Sequence, residues 1–221
     1  MCDGLLFWQW NTDSAVLVAG SGRGDDDRNR VDGDQAAEIS ISLRTMTHSI
    51  LFSGHMIDGP DRSSDPRFPA ANESKVKTAI RDNLESFTQP VRGIASGACG
   101  GDILFLETCL ELGIPAGMYL PYAPAVFKKG SVSFAGKTWE ARFDKLLYSL
   151  PVHIIDTVGA NENAYFLVNE WMLKEAMVNG PAHMTLMVVW NEIRNAAIGG
   201  TSSMVAAAEK QQVKVKIINP S

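Results

Sequence analysis

From residue 49 onward the chain alternates short β-branched or apolar runs with stretches of helical period, and that alternation admits few folds. The runs Ser49–Ser53, Val91–Ala95, Ala116–Leu120, Val152–Ile155, Leu186–Trp190 and Val213–Ile218 predict six strands. Between them, helical spacing predicts five helices near Ala70–Phe87, Asp102–Leu112, Thr138–Ser149, Ala164–Val178 and Ser202–Gln211. Strand and helix in strict succession define crossover units and a parallel sheet. The run Leu186-Met187-Val188-Val189-Trp190 is apolar on both faces, as a sheet covered by helices on both sides requires. The expectation is a three-layer, Rossmann-like, doubly wound α/β domain with a mostly parallel six-stranded sheet over residues 48–221. Ligands of such folds lie outside the carboxyl ends of the strands, where strand order reverses.

Residues 1–47 do not share this pattern. Gly20–Asp34, GSGRGDDDRNRVDGD, offers almost nothing to bury and reads as a linker. Its Gly-x-Gly is followed by the acidic run Asp25-Asp26-Asp27 and not by a helical pattern, so it is no phosphate loop. The apolar runs Leu5–Trp10 and Ala15–Ala19 fall short of the roughly 20 residues of a spanning helix and follow no basic region. We expect an amino-terminal extension, with Leu5–Trp10 a candidate contact for a homo-oligomer, and neither a membrane span nor a signal peptide.

The net charge of −5, with no long basic stripe, argues against a duplex nucleic-acid partner. Three cysteines without a CxxC pair read as reduced thiols of a cytoplasmic protein. Four scattered histidines lack the short spacings of a metal site, and no cofactor is expected.

Two glycine turns follow predicted strands and precede predicted helices. The first, Ser96-Gly97-Ala98-Cys99-Gly100-Gly101-Asp102, opens the way to close backbone approach. Asp102 can cap the helix it begins or face a ribose hydroxyl. The second, Gly199-Gly200-Thr201-Ser202-Ser203, sets backbone N–H groups and hydroxyls together in a donor-rich cup suited to phosphate, though Ser202 also suits ordinary capping. Neither turn is a Walker loop, since no Gly-Lys-Ser/Thr follows.

The long polar loop after the first strand, Ser53 through Pro69, adds Gly54, His55, Asp58, Arg62 and Arg67. Its two guanidiniums suit phosphate; His55 or Asp58 can bond a sugar or base, or His55 can be an inert histidine. Pro121–Lys137 carries Lys128, Lys129 and Lys137 and reads as a basic lid or as a solvated run. Asn169 can read a base or serve as a buried cap. Cys99 is either a thiol at a helix start or a small residue in a tight turn.

Taken in order, the strand ending Ser53-Gly54, the SGACGGD turn and the terminal GGTSS turn before an alanine-rich helix resemble the SLOG superfamily of Rossmann-like domains. That group includes LOG-type phosphoribohydrolases (lysine-decarboxylase-like proteins), DprA-type DNA-processing proteins and the amino-terminal domains of melastatin-type channels. The resemblance runs from about Ser49 to Ile218. Against the LOG motif Pro-Gly-Gly-x-Gly-Thr-x-x-Glu, Gly199 and Gly200 match the paired glycines, Ser202 and Ser203 replace Gly-Thr, Ile198 replaces the proline, and Ala206 falls where the catalytic glutamate belongs. The resemblance therefore implies binding of a nucleotide-like small molecule by a sensor domain, with a fused effector or as a homo-oligomer. The rival expectation is a nucleotide phosphoribohydrolase in which Glu107 or Glu209 substitutes for the missing glutamate. A DNA-processing role would need a basic, aromatic groove for single strands, and none is evident.

Overall fold

Six parallel strands carry the fold: β1 (His48–Gly54), β2 (Val91–Ala95), β3 (Ala116–Leu120), β4 (Val152–Ile154), β5 (Met184–Val189) and β6 (Lys214–Ile218). Their order across the sheet is β4-β3-β2-β1-β5-β6, and every neighbouring pair is parallel. The computed structural model describes residues 47–59, 62, 64–155, 164–194 and 199–221, all inside the unit Ile39–Ser221. The predicted linker, the Leu5–Trp10 contact and residues 1–46 of the predicted extension lie outside the described residues.

The helices are α1 (Glu73–Glu85), α2 (Gly101–Glu111), α3 (Pro124–Ser131), α4 (Lys137–Ser149), α5 (Ala164–Ala176) and α6 (Thr201–Lys210). Alternation along the strands sorts them into two layers. Ile50 and Phe52 of β1 pack with α1, α2, α3 and α4 through Val76, Ile80, Phe105, Phe127 and Phe143. Leu51, one residue out of phase, packs with α5 and α6 through Val168, Met172, Met204 and Val205. Each large side chain withdrawn from water contributes about 1.5–3 kcal/mol, and Phe52 stacks on Phe105 with ring centroids 4.6 Å apart. The three-layer Rossmann-like architecture read from the sequence is the architecture observed.

One helix departs from expectation. The segment read as a basic lid forms α3, opened by Pro124 at its first turn, followed by the 3-10 turn Ser133–Ala135. Pro124 supplies a preset φ where no backbone donor is needed, and Phe127 and Ser131, four residues apart, point inward. Eight residues with two inward contacts leave too short a period to detect. Lys128 is held by Asp144 at 2.8 Å, and Lys137 by Glu140 at 2.7 Å, so neither is a free basic group. Among the described residues, no helix is long and apolar enough to cross a membrane.

The strand order places a switch point beside β1. Chain progression β1, β2, β3, β4 runs outward on one side; β5 returns to β1's other side, with Gly54 in register with Val189. The connections leaving β1 and β5 thus go to opposite faces of the sheet and open a crevice between them.

Candidate functional site

A cleft of about 270 Å³ occupies that crevice. Of the residues expected at a ligand, Gly54, His55, Arg67, Ser96, Asp102, Asn169, Gly199, Gly200 and Thr201 line it; Arg62, Gly97, Gly100, Gly101, Ser202 and Ser203 do not. The remaining wall is apolar and aromatic, from Phe52, Phe127, Tyr165, Val168 and Met172, with Gly130 and Ser131 at the end of α3.

The first glycine turn is built for chain crossing. Gly100 has φ +98°, and a Cβ there would lie 2.5 Å from the Ile57 nitrogen and 2.7 Å from the His55 oxygen. Gly101 and Gly54 approach so closely that a Cβ on either would sit 2.9 Å from the other's Cα. Three donors of this turn are taken: Gly101 N–H by His55 O at 3.1 Å, Cys99 N–H by Ser131 O at 3.0 Å and Ala98 N–H by Asp102 Oδ2 at 3.4 Å. Gly97 packs against Phe143 and Met118. The glycines of this turn serve the close approach of two chain segments.

Asp102 neither caps its own helix nor stands free. Its Oδ1 accepts the Gly54 N–H at 3.1 Å and its Oδ2 the Ala98 N–H at 3.4 Å, fastening the exit of β1 to the turn after β2. Burial pushes its carboxyl up to about 7 against the pull of those two N–H donors. Cys99 is fully buried and its thiol is pushed up to about 12 by burial, so it supplies no nucleophile.

The loop leaving β1 is shaped by Asp58, whose Oδ2 accepts the N–H groups of Arg67 at 2.9 Å and Phe68 at 2.8 Å. This bond pair folds the loop back and sets Arg67 at the cleft, while Arg62 stays outside with its Nε 3.8 Å from Asp58 Oδ1. The Arg67 Nε is buried with no hydrogen-bond partner among the described residues. Burial and the nearby Arg62 charge lower its pKa from the usual guanidinium value. His55 is 8% exposed and its Nε2 lies 2.9 Å from Asn191 Oδ1, which makes Nε2 the donor. Burial, opposed by that bond, lowers its pKa, so the ring is neutral near pH 7. Asn191, absent from the sequence reading, orients this ring.

The second turn differs from the first. Gly199, at φ +83°, packs against Tyr165 and Phe166, and its carbonyl accepts the Asn169 side-chain N–H at 2.8 Å. Asn169 thus anchors the turn. Gly200 precedes α6 with ordinary φ −92°, and among the described residues a Cβ there would meet nothing within 4 Å. No side chain caps α6; Ser203 instead turns its hydroxyl to Gly200 O at 2.7 Å. Thr201 lies at the floor, its hydroxyl 3.4 Å from that of Ser53. The first N–H groups of a helix carry the positive end of its dipole; at α6 the Ser203 N–H is taken by Gly200 O at 3.1 Å, and Gly200 and Thr201 line the cleft.

Neither candidate glutamate reaches this place. Glu107 is held on both oxygens by Arg142, at 2.8 and 2.6 Å, and Arg142 also binds Glu73 at 2.7 Å. Glu209 pairs with Arg194 at 2.9 Å in the last turn of α6, about 12 Å along the helix from Thr201. Ala206 is exposed and does not line the cleft. Among the described residues, no cluster of ligating side chains could hold a metal ion.

The six-stranded parallel sheet, its two helical layers and a cleft at the switch point define an α/β domain of Rossmann-like class. No family model matches the chain, and no curated protein matches it. Among solved structures, it is similar to DNA processing protein A (DprA) from Streptococcus pneumoniae, at 13% identity and a TM-score of 0.48, over 82% of this chain and 53% of that one. The chain thus spans about half the length of that protein.

Proposed function

We propose that the cleft binds a nucleotide or nucleotide-derived phosphorylated small molecule about the size of a single nucleoside monophosphate, and that binding, not cleavage, is its function. The observation that carries this reading is Arg67: the one cation among the described lining residues, with a buried Nε that has no hydrogen-bond partner among the described residues. A guanidinium whose Nε is withdrawn from water and unbonded gains from an anion that supplies the missing acceptor, beyond the pull of the nearby Asp58 and Asp65 charges. The start of α6, where Gly200 and Thr201 line the cleft, is a second place that suits an anion. The aromatic wall suits a base, and the volume suits one nucleotide better than two.

Phosphoribohydrolase chemistry needs a carboxylate at the sugar, and Glu107 and Glu209 are tied to arginines elsewhere. The domain then acts as a cytoplasmic sensor in a signalling or defence system, reporting occupancy to a fused effector or through a homo-oligomer. Calorimetric titration with nucleoside monophosphates and with the matching nucleosides tests the reading. The monophosphate should bind at least tenfold more tightly. Equal affinities would remove the phosphate from the site, and release of free base at a catalytic rate would overturn binding without cleavage.

A further inference from the structure

The cleft wall contains one aromatic side chain that is both fixed and open. Tyr165, at the start of α5, donates to or accepts from the Ser131 hydroxyl at 3.0 Å, which ties it to the end of α3. Its Cβ is braced by Gly199, where any side chain would come within 3.0 Å. The neighbouring rings meet it obliquely: Tyr122 edge-on at 85° and 5.7 Å, Phe127 tilted at 43° and 6.4 Å. Among the described residues no ring stacks on it, and it is 38% exposed where Phe127 behind it is 1% exposed. A tyrosine held by its hydroxyl and lining the cleft loses little further freedom on meeting a flat ligand.

We infer that Tyr165 is the stacking platform for the base, a specificity-determining residue that admits planar heteroaromatic ligands and discriminates against phosphorylated sugars alone. The inference rests on the mononucleotide reading above. Its geometry follows from the second turn: the glycine that braces Tyr165 immediately precedes the one that opens α6, so base and phosphate are held at adjoining parts of one segment. Stacking is tolerant of base identity because every base presents a π-face. Tyr165 therefore selects for a base without choosing among bases.

The test uses 1,N6-etheno-AMP, whose fluorescence is quenched on stacking, and ribose 5-phosphate, which has no base. Wild-type protein should quench the etheno-AMP signal on binding. Tyr165→Leu should abolish the quenching and weaken etheno-AMP about tenfold, with ribose 5-phosphate unchanged. Tyr165→Phe, which keeps the ring and loses the Ser131 bond, should keep the quenching and weaken etheno-AMP by less than Tyr165→Leu does. Tyr165→Met serves as a second ring-free variant should Leu fail to fold. Quenching that survives the ring-free variants, or a loss in Tyr165→Phe equal to that in Tyr165→Leu, would overturn the platform while leaving the mononucleotide reading intact. Wild-type protein that binds neither probe would overturn both.

Discussion

The carboxylate of Asp102 accepts the backbone N–H of Gly54 at 3.1 Å across 48 residues of sequence, so the exit of β1 is held by the first turn of α2. The same carboxylate takes the N–H of Ala98. A residue that reads as a helix cap is thereby the fastener of two loops, and the cleft is built on it. Its loss leaves two inward N–H groups without an acceptor, and each buried unsatisfied group costs about 1–3 kcal/mol. Asp102→Ala should destabilise the protein by about 2–4 kcal/mol in urea denaturation; a change under half a unit of that scale would contradict the fastener role.

Asp102 also sets a pH dependence. Its carboxyl titrates near 3.8 in an ordinary setting and at about 7 in the folded protein. Between those values the folded state binds a proton that the unfolded state has released, so this group's contribution to stability falls as pH rises, by about 1.4 kcal/mol per unit. Asp102→Asn should remove that slope. Urea melts of both proteins at pH 5 and pH 7.5 give the difference, and parallel profiles would show that Asp102 ionises as an exposed carboxyl does.

The glycines of the two turns should respond oppositely to alanine. At Gly100 a Cβ meets the Ile57 nitrogen at 2.5 Å in a backbone of φ +98°, a clash joined to a disfavoured conformation, and Gly100→Ala should cost about 3 kcal/mol or more. At Gly200 a Cβ meets nothing and φ is −92°, so Gly200→Ala should change stability by less than about 1 kcal/mol. Thermal melts of the pair decide it, and equal losses would contradict the geometry.

Gly200→Asp should fold and lose phosphate-dependent binding, because the added carboxylate lies in the cleft at the start of α6. Calorimetry with a nucleoside monophosphate should show at least a tenfold weaker association. Unchanged affinity would take α6 out of the site.

Glu107→Gln should weaken the fold and spare the ligand. Glu107 and Arg142 are paired on both oxygens with side chains only 18% and 19% exposed, and Arg142 also stacks over Trp139 at 4.0 Å. A partly buried, doubly bonded pair of this kind contributes about 1–3 kcal/mol. Denaturation should shift accordingly, with nucleotide affinity unaltered; lost affinity would bring Glu107 back to the site.

The layers of this protein were legible in its sequence because they depend on local periods. Val91–Ala95 and Ala116–Leu120 begin and end where the apolar runs do, and the remaining strands differ by a residue or two at their ends. β5 is buried along its whole length, as its unbroken apolar run implied. The second glycine turn was equally legible, since Gly199 and Gly200 stand between a strand and a helix in one continuous segment. The helix α3 was not, its two inward contacts being too few to mark a period, and with it Ser131 escaped notice.

What the sequence determined by itself was an order of strands and helices, and so a parallel sheet with its glycine turns beyond the carboxyl ends of the strands. Only the tertiary structure decided what each turn is for. The same residue type serves at Gly100 to let two chain segments cross and at Gly200 to leave a space, and the difference lies in atoms of Ile57 and His55 more than 40 positions away. Arg67 and Arg62 likewise belong to one loop, yet only Arg67 lines the cleft, because Asp58 folds the loop upon its backbone N–H. Periodicity records which side of an element is apolar; the approach of distant backbones, and the partners left over when they meet, appear only when the chain is closed.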